Sequence, residues 1–92
     1  MRYCARELAG KNIRANVVVP GMIETKLIHD GAFNDEDLEK DMQRYPLKRY
    51  GRPQDVAWAI IYLLSDASAW VTGTSMVVDC GILLVYSFTI EE

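Results

Sequence analysis

Residues 13–19 form an apolar run, with Ile13, Val17, Val18 and Val19 as its bulky members, that stops at Pro20 and Gly21 and continues as Met22, Ile23, Glu24 and Thr25. A run rich in β-branched residues and apolar on both faces predicts a parallel strand covered on both sides. Proline and glycine directly after it predict a sharp exit at the strand's carboxyl end. That is where open α/β sheets hold their ligands, and a backbone turn followed by a threonine hydroxyl suits such a place.

The rest of the chain alternates in kind. Residues 2–9 carry good helix formers and run into Gly10, Lys11 and Asn12, with Gly10 expected to take the left-handed position at the helix end. Asn34 can cap a second helix whose first turn holds Asp35, Glu36 and Asp37, where negative charge complements unpaired amides. Leu38, Met42 and Tyr45 make a thin apolar stripe on it, and Pro46 stops it. Pro53 opens a stronger helix at its first position, with Asp55 in the first turn and Val56, Ala57, Ile60, Leu63 and Leu64 as its buried face. Trp58, Ile61 and Tyr62 fall outside that face and imply a second packing surface. Residues 74–79 read as another strand apolar on both faces. Helix, strand, helix, helix, strand is an α/β order.

Composition excludes several classes. The chain has 92 residues, 50% of them hydrophobic, and a net charge of −3, which fits one globular unit with a modest core. Its 10 basic residues are outnumbered by 13 acidic ones and are dispersed, so no nucleic-acid footprint is expected. Cys4 and Cys80 are the only cysteines; their separation argues against a metal site or a disulfide framework and favours buried or half-buried free thiols in a reducing compartment. The first residues lack a signal-peptide core, and the longest apolar run, 82–86, is far short of the ~20 residues that cross a bilayer. A cytoplasmic protein without membrane contact is expected.

The ordered series Glu7-Leu8-Ala9, Lys11-Asn12-Ile13-Arg14, Asn16, Pro20-Gly21, Ile23-Glu24-Thr25, Tyr45-Pro46-Leu47-Lys48-Arg49, Gly51-Arg52-Pro53, Asp55-Val56-Ala57, Tyr62-Leu63-Leu64-Ser65-Asp66, Val71-Thr72-Gly73-Thr74 and Val78-Asp79 resembles the C-terminal third of the short-chain dehydrogenase/reductase family, in particular its 3-oxoacyl-carrier-protein-reductase-like members. The resemblance implies a doubly wound, Rossmann-like parallel sheet, of which this chain carries two strands plus helices without the N-terminal nucleotide-binding half. It implies NAD or NADP as cofactor and hydride transfer to or from a carbonyl or alcohol carbon of a small substrate. Carried over by residue, it assigns Pro20, Gly21, Met22, Ile23 and Thr25 to one wall of the nicotinamide pocket, with the Ile23 backbone at the carboxamide and the Thr25 hydroxyl at the carboxamide or pyrophosphate. The competing reading of Pro20-Gly21 is a turn needing these residues for geometry alone.

Residues 26–50 correspond to the family's substrate-covering loop and helix. His29 there is a lone histidine without a carboxylate or nucleophile partner in the sequence pattern, and is expected to be solvated. The acidic run 35–41 is expected to be a solvated face rather than a metal site, and Thr72-Gly73-Thr74 lacks the further glycines of a phosphate turn. The resemblance also places Trp58, Tyr62 and strand 74–79 at a contact between subunits, as a homo-oligomer or with related subunits.

The family's catalytic set is a Ser, a Tyr and a Lys four residues after the Tyr. The residues four after the tyrosines here are Glu7, Arg49, Gln54, Asp66 and Ile90, so no catalytic residue is assigned. The expectation is one unit, with 1–81 as a C-terminal segment and 82–92 as an atypical tail, inactive by itself, with a non-catalytic binding or oligomerisation module as the alternative. Cys80 stands where the family has a glycine and should strain the turn after the last strand. The tail is open to folding back as an antiparallel strand or to staying apart. With few helices to cover them, the two strands should lie side by side and parallel with an incompletely covered, adhesive face.

Overall fold

The computed structural model describes residues 2–24, 31 and 34–85. Helix α1 (Arg2–Ala9) leads into strand β1 (Val17–Pro20); helices α2 (Asp35–Met42) and α3 (Pro53–Leu64) follow, then a short 3-10 turn (Asp66–Ser68) and strand β2 (Ser75–Val78). β1 and β2 are adjacent and parallel, with Val17 opposite Ser75, Val18 opposite Met76, Val19 opposite Val77 and Pro20 opposite Val78. The expected α/β pairing is therefore present.

Both strands are shorter than the apolar runs that announced them. Residues 13–16 lie outside the ladder because their polar groups bond elsewhere: the Ala15 amide donates to Thr72 Oγ1 at 3.1 Å, and the Asn16 side chain bridges the Val71 carbonyl and the Thr74 amide. Thr72-Gly73-Thr74 is thereby a structural splice, since the Gly73 amide also donates to the Ala15 carbonyl at 2.8 Å.

The end of α1 corrects the expectation for Gly10. Asn12, at φ 60°, takes the left-handed position. The Ile13 amide reaches back to the Leu8 carbonyl and the Asn12 amide to the Ala9 carbonyl, the paired bonds of a Schellman ending, in which asparagine is the usual substitute for glycine. Helix α2 also ends earlier than Pro46. The amides of Gln43, Arg44 and Tyr45 bond three residues back, a tighter winding that ends before the residue a following proline would push out of helical geometry. Asn34 caps it as expected, accepting from the Glu36 amide at 2.7 Å.

Pro53 opens α3 as expected, yet the helix's inner face is narrower than its apolar pattern. Leu63 is buried and Val56 and Ala59 are half-buried, whereas Ala57 is exposed, Ile60 is 42% exposed and Leu64 is 79% exposed. One helix set against two strands meets them along a single stripe, and Leu64 lies past its edge. The alternation of side chains along a strand sorts the sheet into two faces. The Val18–Met76 side lies under α3, while Val19 and Val77 on the other side are 39% and 47% exposed. Trp58, Ile61 and Tyr62 are exposed, as their place on the helix implied.

A second small core forms away from the sheet. Tyr45, Tyr50 and Ile82 are buried together, with Leu38, Met42, Cys80 and Val85 packed on them. The two rings meet edge-to-face, 5.3 Å between centroids, a favoured aromatic geometry. Residues 82–85 are helical, so the start of the tail does not return as an antiparallel strand; residues 86–92 lie outside those described. Cys80 and Gly81 both have left-handed backbones, φ 61° and 80°. For cysteine this costs about 1–2 kcal/mol, offset in part by the Leu47 amide donating to Cys80 Sγ at 3.0 Å. Cys80 is half-buried as expected, but Cys4 is exposed, because α1 turns Ala5 inward and leaves Cys4 on its outer side. Among the described residues, no helix is long and apolar enough to cross a membrane.

Candidate functional site at the carboxyl edge of the sheet

A cleft of about 230 Å³ opens beyond the carboxyl ends of the two strands, lined by Met22, Ile23, Arg49, Gly51, Asp55 and Asp79, with Tyr45, Leu47, Val78 and Cys80 completing its wall. It lies where a parallel sheet presents its loops to ligands. Three elements build it.

The first is the exit from β1. The Gly21 amide donates to the Val78 carbonyl at 3.0 Å, extending the ladder by one bond. A Cβ at Gly21 would lie 2.8 Å from Asp79 Cβ and 3.0 Å from Asp79 Cα. Glycine is needed here for close approach, not for a left-handed backbone. Pro20 and Gly21 thus set the direction of the chain, and Met22 and Ile23 reach the cleft. Thr25 and His29 lie outside the described residues.

The second element is a parallel bridge between Ile23 and Gly51. The Gly51 amide donates to the Met22 carbonyl at 3.0 Å, and the Glu24 amide donates to the Gly51 carbonyl at 2.7 Å. The bonds use the neighbours of Ile23, so the amide and carbonyl of Ile23 itself stay outside the bridge. Those two groups, side by side, form the donor and acceptor pair that a primary carboxamide would match.

The third element is the start of α3. Asp55 Oδ2 accepts from the Arg52 amide at 2.7 Å and from Arg49 Nη1 at 2.9 Å, and Arg49 Nη1 also donates to the Tyr50 carbonyl at 3.0 Å. The Arg49 guanidinium foremost, and the Arg52 amide after it, hold the Asp55 carboxyl below its ordinary range. The positive partner keeps the carboxylate ionised. In the local sequence pattern Asp55 is marked only as a first-turn acid; its spacing from Arg49, with Gly51 and Pro53 between, is the signal that could have placed both at the cleft.

Asp41 is likewise more than a solvated acid. It accepts from the Tyr50 hydroxyl at 2.7 Å and from Arg44 at 3.0 Å, tying the end of α2 to the Tyr45–Tyr50 core. Burial first, then the bond to Asp41, pushes the Tyr50 hydroxyl from 10.0 up to about 12. An unfolded tyrosine releases its proton first, so the folded state holds more protons between these values. This contribution to stability is complete below pH 10 and is lost as pH rises through about 12. Tyr50→Phe should cost about 1 kcal/mol near neutral pH and should flatten the alkaline loss of stability. Urea unfolding measured from pH 8 to 12 checks both.

Among the described residues no group of histidine, cysteine or acidic side chains could hold a metal ion. Two parallel strands flanked by helices, with a largely apolar cleft at the strand ends, make an α/β arrangement. The family model described as enoyl-(acyl carrier protein) reductase matches residues 1–83, and the chain belongs to the short-chain dehydrogenase/reductase family. It is 42% identical over 80 residues to the 3-oxoacyl-[acyl-carrier-protein] reductase of Thermotoga maritima, covering 87% of this chain and 32% of that protein. It is 39% identical over 84 residues to an L-rhamnose 1-dehydrogenase (NAD(P)(+)) of Azotobacter vinelandii, 91% and 33% covered. It is 42% identical over 74 residues to the acetoacetyl-CoA reductase of a Synechocystis species, 79% and 30% covered. The chain spans about a third of the length of these relatives.

Proposed function

We propose that these residues are the C-terminal portion of an NAD(P)-dependent short-chain oxidoreductase acting on a small carbonyl or alcohol substrate in the cytoplasm, of the 3-oxoacyl-carrier-protein-reductase type. The observation that carries the reading is the Ile23 backbone pair, held at the strand-end cleft by Gly51 and left outside their mutual bridge. Its amide and carbonyl would hold the nicotinamide carboxamide; Met22 would lie against the ring, Pro20 and Gly21 would aim the segment, and Thr25 would supply a hydroxyl. NAD or NADP would supply the hydride, and this chain's part is to bind and orient the nicotinamide end.

The 92 residues contain no Tyr followed four residues later by Lys, so the chain by itself should bind nicotinamide weakly and turn nothing over. Titration of the 15N-labelled chain with NADH and with NADPH should shift the Ile23 amide resonance, while an acetoacetyl-type substrate with either cofactor should give no change in absorbance. Turnover by the pure chain, or shifts that spare residues 20–25, would overturn the reading.

A second reading, a non-catalytic association module, is favoured by one observation: Trp58 is 67% exposed, Ile61 52% and Tyr62 40%, on one helix. Large apolar groups gathered in this way ordinarily meet a partner. Together with strand 74–79 they would join a second copy or a related subunit. Replacing Trp58 and Tyr62 with lysine should lower the sedimenting mass and leave helical circular dichroism largely intact. An unchanged mass would count against this surface.

A further inference from the structure

Two backbone bonds fasten Met22–Glu24 to one residue, Gly51. Its neighbours on either side are held by a single carboxylate. Asp55 Oδ2 takes the amide of Arg52 directly and takes Arg49, whose same nitrogen holds the carbonyl of Tyr50. The peptide planes before and after Gly51 are thus fixed from one point, 2.7 Å from the following amide and 2.9 Å from the guanidinium. Glycine at this position completes the device. A Cβ there would lie 2.8 Å from Ile23 Cδ1, the movable end of that side chain, so a larger residue would turn the Ile23 side chain aside from its place over the braced turn.

We infer that the Arg49–Asp55 pair is a positioning brace that sets, through Gly51, the orientation of the Ile23 amide and carbonyl toward a nicotinamide carboxamide. The inference rests on the proposed cofactor reading for its ligand, but the brace itself is a statement about Gly51 and Ile23 alone. Arg49 and Asp55 line the cleft, and the positioning role assigned to them acts through the bridge. Their side chains are 45% and 33% exposed, and ion pairs so placed add little to global stability. Their effect belongs to the local order of the bridge, which separates this role from a general stabilising one.

The test uses the whole 92-residue chain and the variants Asp55→Ala, Arg49→Met and Asp55→Glu. Hydrogen exchange at the Gly51 and Glu24 amides reads the bridge directly, and NADH, titrated while the Ile23 amide is followed by NMR, reads its use. In Asp55→Ala and Arg49→Met the two bridge amides should exchange about tenfold faster, and if the binding-competent orientation falls to about a tenth of the population, NADH should bind about tenfold more weakly. The β1–β2 amides should stay close to the parent's, as should the urea midpoint of Arg49→Met, whereas Asp55→Ala, which also removes the capping carboxylate of α3, should lower its midpoint slightly. Asp55→Glu keeps a carboxylate able to reach the Arg52 amide, as glutamate does in capping boxes, and should restore protection.

Unchanged exchange at Gly51 and Glu24 in both variants would overturn the brace, whatever NADH does. Equal loss of protection across the sheet would overturn it too, in favour of plain destabilisation. If the parent chain shows protected bridge amides that depend on Asp55 but no NADH shift at Ile23, the brace stands and the cofactor reading falls. If NADH binds parent and variants alike at Ile23, the cofactor reading stands and the brace does not position it.

Discussion

Arg14→Met should lower the stability of this chain by about 2–3 kcal/mol, the worth of hydrogen bonds to a charged group together with the acceptors they leave behind. In the structure Arg14 Nη1 donates to Ser68 Oγ at 3.0 Å and to the Val71 carbonyl at 3.1 Å, and Nη2 donates to the Ser65 carbonyl at 3.3 Å. Ser68 is fully buried and its hydroxyl bonds the Leu63 carbonyl at 2.9 Å. One guanidinium therefore joins the approach to β1, the end of α3 and the approach to β2. Methionine keeps much of the aliphatic stem, so the loss is chiefly polar. For a chain of this size, whose total stability is about 5–14 kcal/mol, the melting temperature should fall by roughly 10 °C or more. Thermal unfolding followed by circular dichroism measures it; a drop of under about 3 °C would mean that water replaces the clamp at little cost.

Gly21→Val should be comparably damaging, by a different cause. The added Cβ would meet Asp79 at 2.8 Å on Cβ and 3.0 Å on Cα, and neither atom is the free end of a flexible chain. Asp79 is itself fixed, since its carboxylate accepts from the Gly81 amide at 2.9 Å and the Leu83 amide at 3.3 Å. Relief requires the exit of β1 to move away from β2, which breaks the Gly21–Val78 bond. Overpacking of this kind costs about 1–3 kcal/mol. Gly21→Ala separates two roles of this residue. If close approach is the whole reason for glycine, alanine should already show most of the loss in urea unfolding, because the Cβ makes the contact. A stability equal to the parent's would show that the strand exit yields, leaving ligand approach as the reason for glycine.

The parts of this protein legible in its sequence are those set by neighbours along the chain. Pro53 at the first turn of α3, Asn34 as the cap of α2 and Pro20-Gly21 at the strand exit depend on fixed φ angles, missing amides or a side-chain oxygen within reach of the next turn. The parallel pairing of β1 with β2 was legible too, because two short runs apolar on both faces have few other ways to be buried. The ordered motifs carried the family.

Contacts across long separations left no such mark. The Arg14 clamp spans 54 residues to Ser68 and 57 to Val71, and nothing in the order of residues distinguishes Arg14 from a solvated arginine. Periodicity makes Leu63 and Leu64 alike, but the position of two strands beneath α3 buries the first and leaves the second 79% exposed. Gly10 and Asn12 are both able to end α1, and the geometry of the last turn selected Asn12. Arg49, Gly51 and Asp55 become a site only when the turn before α3 is laid against Ile23. A sequence determines which backbone angles and faces are available; tertiary structure decides which polar groups meet, because a hydrogen bond depends on positions in space that distant segments must supply together.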